Sequence, residues 1–304
     1  MKKLDLKAYA KINLSLDVLG TRPDGYHEIA TVMQMIDFYD ELCVRWLPDN
    51  GNGITIRVGT NKRFLPRDER NLAYKAAKLL MDRFDVENRF GSGTVSIDIK
   101  KRIPVGAGLG GGSADAAAVL SALDKIWGLD ISIAEMCGIG AILGADVPFF
   151  VMGHSGSKCA LAEGTGTELT GLPGIDCWAV LSKPPMYIST AEVYKGFDVI
   201  KKDFKRPDTQ GLINAIKNRE YLHIGENIIN VLENYSLKVY PVIARTKNSI
   251  LETSPAAAAM SGSGPTVFGL YEDRKEAEAA YKKLAELNKE TFLTKTISGC
   301  SAVW

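Results

Sequence analysis

Three hundred and four residues, 46% of them hydrophobic, are enough for two domains of ordinary size, each with a core of its own. The 37 basic and 36 acidic side chains nearly cancel, and the longest basic runs, Lys100-Lys101-Arg102 and Lys201-Lys202, are short, so nucleic acid and membrane surfaces are excluded as partners and a small molecule is expected. Cys43, Cys137, Cys159, Cys177 and Cys300 stand at unrelated spacings without C-x-x-C pairs, which excludes a disulfide framework and a zinc site.

The amino-terminal Met1-Lys2-Lys3-Leu4-Asp5-Leu6 carries no continuous apolar stretch, and no run reaches the roughly eighteen residues of a spanning helix, so a cytoplasmic protein is expected. Residues 4–18 alternate, with Leu4 to Val18 at even positions on one face and Tyr9, Lys11, Asn13, Ser15 and Asp17 on the other. Lys11 taken alone is a solvated strand lysine. Thr21-Arg22-Pro23-Asp24-Gly25 is a turn that delivers Tyr26 and His27 into a second extended run, 29–36, and so brings His27 back towards the Lys11 strand. Residues 40–46 and 54–58, joined across Asn50-Gly51-Asn52-Gly53, read as a further strand pair. Asn71 is an N-cap candidate for a helix reaching about Phe84, and Val95, Ile97 and Ile99 mark the next strand.

That strand feeds Pro104-Val105-Gly106-Ala107-Gly108-Leu109-Gly110-Gly111-Gly112-Ser113, followed by an alanine-rich helix with Ala116, Val119, Leu120, Leu123, Ile126 and Trp127 at helical spacing. Glycines remove the Cβ atoms that would hold an anion off the backbone, and the first-turn N–H groups of a helix have no partners of their own, so a phosphate is the natural occupant. Gly106, Gly108 and Gly111 satisfy G-x-G-x-x-G, but no acidic residue follows on a strand about twenty residues later, as a dinucleotide site requires. Residues 106–113 also fit a phosphate-binding loop of the Walker type except that Gly112 stands where lysine is required, so the neutralising lysine has to come from elsewhere. A flexible helix entry that binds nothing is the bland alternative, and it needs far fewer glycines.

Asp115, in the first turn after the loop, complements the helix dipole, with a metal-holding role as the less favoured reading. Ser132-Ile133-Ala134-Glu135 is a capping box for a helix ending near Gly144. Asp146 follows, between small residues and the apolar run Val147-Pro148-Phe149-Phe150-Val151; it either caps a turn or sits partly desolvated, where it needs a cationic or hydrogen-bonded partner. A domain break is expected near residue 160. Beyond it come a strand at 177–181, helices around 209–217, 220–233 and 240–253, the turn Ser261-Gly262-Ser263-Gly264-Pro265-Thr266, a strand at 267–271, a helix over 273–288 and a last strand at 292–297. Alternation of this kind indicates an α+β layer, with the 261–266 turn as either a tight turn only or a wall of a cleft between domains.

The segments Ala10-Lys11-Ile12-Asn13-Leu14, Arg22 to His27, Pro104 to Ser113, Gly144-Ala145-Asp146-Val147-Pro148 and Ser261 to Thr266 together resemble the GHMP kinase superfamily, in order, over residues 8 to about 270. The Asp24-Gly25-Tyr26-His27 segment is similar to the branch that phosphorylates a cytidine diphosphate-linked methylerythritol at its 2-hydroxyl, on the methylerythritol phosphate route to isoprenoid precursors. The resemblance implies an α+β fold of two domains with the active site between them. These are a ribosomal-protein-S5-domain-2-like domain over 1–160 and a ferredoxin-like domain over 161–304. It implies ATP as phosphoryl donor with Mg2+. Position by position, it makes Pro104, Val105, Gly106, Ala107, Gly108, Leu109, Gly110, Gly111, Gly112 and Ser113 the ATP phosphate cradle, Ser113 standing near the metal. Asn71 and Lys101 fall near the adenine. Asp146 matches the general base or hydroxyl-positioning group, and Lys11 the neighbour that keeps it ionised. Asn13, Tyr26 and His27 match the substrate site, with Tyr187 as the ring against the cytosine.

Ser113-Ala114-Asp115 departs from the Ser-Ser-Asn of many members, so no duty passes to a second serine. A homoserine- or mevalonate-type kinase would keep the loop without needing the Tyr26-His27 pair, and a non-catalytic binding protein on the same scaffold would have lost Lys11 or Asp146. No feature of the sequence distinguishes a monomer from a weak homodimer.

Overall fold

The computed structural model describes residues 1–200 and 203–298; the basic pair Lys201-Lys202 and Cys300 lie outside the described residues. The alternating amino terminus forms one strand, β1 (Lys2–Thr21), which turns at Gly25 into the antiparallel β2 (His27–Pro48). Strand β2 takes in both the 29–36 and 40–46 runs. Then follow β3 (Ile54–Thr60), α1 (Leu72–Arg83), α2 (Val86–Phe90), β4 (Gly93–Lys100), α3 (Gly111–Trp127), α4 (Ile133–Leu143), α5 (Val147–His154), β5 (Cys159–Glu163) and β6 (Glu168–Leu172).

Because β1 pairs along the whole of β2, the strands β4 and β5 share the opposite edge of β2, against Glu41–Pro48 and Thr31–Gln34 respectively. The expected pairing of 40–46 with 54–58 is therefore corrected. Strand β4 inserts between them, antiparallel to β2 and parallel to β3, and the α1–α2 connection supplies the crossover that a parallel pair needs. The break expected near residue 160 also moves, because β5 and β6 complete the first sheet and the second begins only at β7 (Trp178–Lys183).

The second domain continues with α6 (Thr190–Asp198), α7 (Thr209–Asn218), α8 (Tyr221–Glu226), α9 (Glu233–Val239), α10 (Pro241–Leu251), β8 (Ala257–Met260), β9 (Val267–Tyr271), α11 (Arg274–Leu287) and β10 (Glu290–Lys295). Its sheet runs β10-β7-β9-β8, all antiparallel, which is the expected ferredoxin-like arrangement. Helix α6 and strand β8 fall where no element is expected, and the 220–233 stretch breaks into α8 and the start of α9.

Two cores meet at β1. Leu6 and Ala8 pack with α1, α3 and α5, whereas Ala10, Ile12 and Leu14 pack with β7, β9 and α7 of the second domain. Between the two sets the register jumps from Tyr9 opposite Tyr39 to Ala10 opposite Ile36, a bulge that re-aims the strand just before Lys11. Beyond the bulge the polar face is buried too. Lys11, Asn13, Ser15 and Asp17 are all enclosed, so the solvated-lysine reading of Lys11 fails.

Under the glycine loop lies a buried ionic triad. The Lys101 ammonium contacts Asp40 Oδ2 at 2.5 Å and Asp115 Oδ2 at 2.7 Å, while Asp40 Oδ1 accepts the N–H groups of Arg102 and Ile103. Asp115 thus ties the first turns of α3 to the sheet rather than merely facing the helix dipole. Burial alone would lower the Lys101 ammonium, but the two carboxylates outweigh it and hold its pKa above the ordinary value. Burial pushes the Asp115 carboxyl up to about 7, against the pull of Lys101 and helped by the charge of Asp40. The folded chain therefore keeps a proton there that the unfolded chain releases near 3.8, so this contribution to stability is full below about pH 4 and is lost as pH rises through about 7. Asp115→Asn lacks that titration. Urea unfolding is expected to show the variant gaining stability on the wild type as pH rises from about 5 to about 8.

Candidate active site

A cleft of about 1120 Å³ runs between the domains and is lined by the glycine loop, Lys11, Asn13, Tyr26, His27, Asn71, Lys101, Asp146 and the 262–263 turn. The loop is seated by the main chain. Lys11 N–H donates to Leu109 C=O at 3.1 Å, and Ser261 Oγ donates to Gly108 C=O at 2.9 Å, so β1 and the turn after β8 grip it from the two domains. Gly108 has φ +74°, and a Cβ there would lie 2.1 Å from the Ser261 carbonyl oxygen, which leaves glycine as the residue that fits. Helix α3 then starts behind Gly110, and no side chain caps its first N–H groups. Those donors and the helix dipole point at the place where an anion would rest.

Lys11 of β1 lies beside the loop. Lys11 Nζ donates to Asn13 Oδ1 at 2.7 Å and lies 3.5 Å from Asp146 Oδ2. Asn13 is held in turn through Nδ2 to Thr31 Oγ1 at 2.8 Å. Asp146 occupies the N-cap position of α5, yet its side chain makes no capping bond. The turn-capping alternative is thereby set aside. With 36% of its side chain exposed and Lys11 nearly sealed at 4%, the carboxylate faces the cleft while its partner backs it from the core. Ser113 Oγ lies near the same turn, 3.9 Å from where a Cβ on Gly144 would be.

Also on the cleft wall, His27 Nε2 is 2.9 Å from Asp198 Oδ1, and its ring lies 4.8 Å from that of Tyr194, tilted by 41°. Tyr26 stands beside it, largely exposed. The ring packed on His27 is Tyr194. Tyr187 lies over Gly106, where a Cβ would be 2.4 Å from its ring, and is 72% exposed. Both tyrosines belong to the stretch around α6, whose helical register places Tyr194 and Asp198 on one face, four residues apart.

Asn71 is first of all the N-cap of α1: Oδ1 accepts Ala73 N–H at 2.9 Å and Nδ2 donates to Pro66 C=O at 2.8 Å. Lys101 lines the cleft wall with its ammonium consumed by Asp40 and Asp115. Neither Asp198 nor Tyr194 carries a local sequence signal, and 171 residues separate His27 from Asp198. Among the described residues no helix is long and apolar enough to cross a membrane, and no group of three or more His, Cys, Asp or Glu side chains could hold a metal ion.

Comparison with known proteins agrees with this geometry. The family described as GHMP kinases N terminal domain matches residues 71–154, and GHMP kinases C terminal matches 201–290. The chain is 45% identical over 295 residues to a 4-diphosphocytidyl-2-C-methyl-D-erythritol kinase of Clostridium botulinum (strain Alaska E43 / Type E3), covering 97% of this chain and 100% of the relative. A crystal structure of 4-(cytidine 5'-diphospho)-2C-methyl-D-erythritol kinase superposes with a TM-score of 0.79 at 30% identity, covering 97% of this chain and 100% of that one. A homoserine kinase from Cytophaga hutchinsonii, at 17% identity and a TM-score of 0.74 over 99% of this chain and 97% of its own, shares the fold alone. With both domain profiles matched and near-full-length relatives of this kind, the chain belongs to the GHMP kinase family, among the 4-diphosphocytidyl-2-C-methyl-D-erythritol kinases.

Proposed function

We propose that this chain transfers the γ-phosphoryl group of ATP to the 2-hydroxyl of 4-diphosphocytidyl-2-C-methyl-D-erythritol, in the cytoplasm, as a step towards isoprenoid precursors. The observation that carries the reading is the Lys11–Asp146 pair, 3.5 Å apart, in the same cleft as the uncapped start of α3. Phosphoryl transfer asks for a triphosphate cradle, positive charge at the group in flight and a means of orienting the hydroxyl. This cleft supplies all three.

In the proposed step the acceptor oxygen forms its bond to the γ-phosphorus as the bond from that phosphorus to the bridging oxygen breaks, and ADP departs with the electron pair. Asp146 orients the hydroxyl and accepts its proton. Lys11, fixed by Asn13 and backed by the core, holds the carboxylate in place and adds positive charge beside the transferring group. The triphosphate rests on residues 104–113, with Asn71 and Lys101 at the adenine end; for Lys101 the contribution is a wall held in place by its two carboxylates. His27, Tyr26 and Tyr194 receive the cytosine, one ring for stacking and one imidazole for its polar edge. Asn13 faces the methylerythritol part.

The donor set fits Mg2+, which commonly takes one or two protein oxygens and completes its shell with substrate phosphates and water. Ser113 would hold it, and it would supply charge neutralisation at the triphosphate.

The decisive experiment is ATP consumption by the purified chain with the cytidyl alcohol, with the same molecule lacking its 2-hydroxyl, and with homoserine and mevalonate. Turnover is expected with the first alone; turnover with homoserine or mevalonate instead would overturn the reading. Asp146→Asn should lower kcat by about 10²- to 10⁴-fold and leave ATP affinity nearly intact, as isothermal titration would show. His27→Ala should raise KM for the cytidyl alcohol by about tenfold or more with little change in KM for ATP, since a directional contact worth about 1–2 kcal/mol is lost at one end of the cleft. An equal or larger ATP defect would mean that the two ends have been exchanged.

A further inference from the structure

The turn that joins β8 to β9 is held from behind by one side chain that the reaction scheme above does not use. Asn230 is 1% exposed, and its Nδ2 donates to the carbonyls of Met260 at 2.8 Å and Gly262 at 2.7 Å, while its Oδ1 accepts Leu232 N–H at 3.0 Å. Its own backbone neighbourhood is docked on β1: Leu16 N–H donates to Ile229 C=O and Val231 N–H to Leu16 C=O, both at 2.9 Å. Asn230 therefore links the strand that carries Lys11 and Asn13 to the turn that faces them.

That turn meets the reacting end of the cleft. A Cβ on Gly262 would lie 3.4 Å from each of Lys11 Nζ, Asn13 Oδ1 and Gly108 C=O. Among the described residues, neither Gly262 N–H nor Ser263 N–H has an acceptor, although Ser261 N–H and Gly264 N–H are bonded to Thr266 and Ser261. In a trans peptide the C=O and the following N–H point in opposite directions. With Gly262 C=O turned onto Asn230 in the buried interior, Ser263 N–H is turned the other way, to the cleft side that Gly262 and Ser263 line. Gly262 has φ +56°, and consecutive unpaired N–H groups at such a position form a concavity suited to an anion.

We propose that Asn230 is a positioning residue for phosphoryl transfer: by capturing the Gly262 carbonyl it aims the Ser263 N–H at the phosphoryl group in flight, opposite the donors of α3. This rests on the phosphotransferase reading given above. The amide adds a donor where negative charge develops, and Asn230 fixes its direction before substrate arrives.

Asn230→Asp is close to isosteric and places a carboxylate where two carbonyls need a donor. Its kcat is expected to fall by about 10- to 100-fold, the cost of misplacing one such donor, with KM for ATP and for the cytidyl alcohol within about threefold of wild type. Gln34→Glu serves as the comparison. Gln34 is another buried amide that bridges the domains, through the carbonyls of Met35, Lys158 and Ile297, and it does not line the cleft. It should lose melting temperature while keeping kcat within about twofold, because lost packing alone leaves the folded fraction competent. If Asn230→Asp also keeps kcat within about twofold below its own melting temperature, Asn230 is a core brace only and the proposal is overturned. Should the aspartate variant not fold, Asn230→Ser, which retains one short donor, takes its place and the same split is required. If the wild type proves inactive on the cytidyl alcohol, the substrate assignment fails separately. The positioning role is then read from nucleotide binding in Mg2+ buffer: loss of affinity for ADP with aluminium fluoride, by about tenfold and without loss for ADP alone, supports it, and equal changes for both overturn it.

Discussion

The grip of β1 on the glycine loop is the contact on which the rest of the site depends. Lys11 holds the loop with its backbone N–H through the Leu109 carbonyl, and with its side chain it reaches Asn13 and Asp146. One residue thus joins the glycine loop, Asp146 at the start of α5 and the strand common to both domains. Burying an ammonium is costly unless it is paired and hydrogen-bonded, and here both conditions are met by groups that belong to the chemistry. The bulge that precedes Lys11 is what turns a surface strand into this interior one.

A second buried lysine illustrates a different use of the same physics. Lys101 is enclosed as tightly as Lys11, but its partners are two carboxylates, one on the sheet and one on α3. Its charge is spent on holding the helix that carries the cradle, whereas the Lys11 charge remains at the cleft. The fold therefore separates the lysine that braces α3 behind the glycine loop from the lysine that lines the cleft beside it. A Walker-type loop combines loop and lysine in one short motif; here they come from elements nearly one hundred residues apart, and the sheet brings them together.

What could be read from the sequence follows from how local each signal is. The long alternating strand, the Asn71 cap, the capping box at Ser132 and the glycine loop with its helix are all present as expected, because each depends on neighbours within a few positions. The parallel pairing of β3 with β4 was not legible, since nothing in either strand encodes the insertion of a partner from beyond two helices. At the site, Lys11, Asp146, Asn13, Tyr26 and His27 line one cleft. Tyr194, the ring packed on His27, lies in α6, a helix that carries no strong boundary in the sequence: Ser189 stands at its N-cap without making a side-chain bond. Asp198, Asn230 and the Lys101 triad depend on partners from distant elements, so only the folded arrangement exposes them.

The contact between Gly108 and Ser261 also bears on how this scaffold could diverge. The two backbones approach so closely that side-chain bulk at 108 would act as a wedge between the domains, and the hydroxyl of 261 stitches the same point from the other side. Neither loop can be enlarged at this point while the other stays still. The shape of the cleft here is then a joint property of two glycine turns more than one hundred and fifty residues apart, which have to change as a pair.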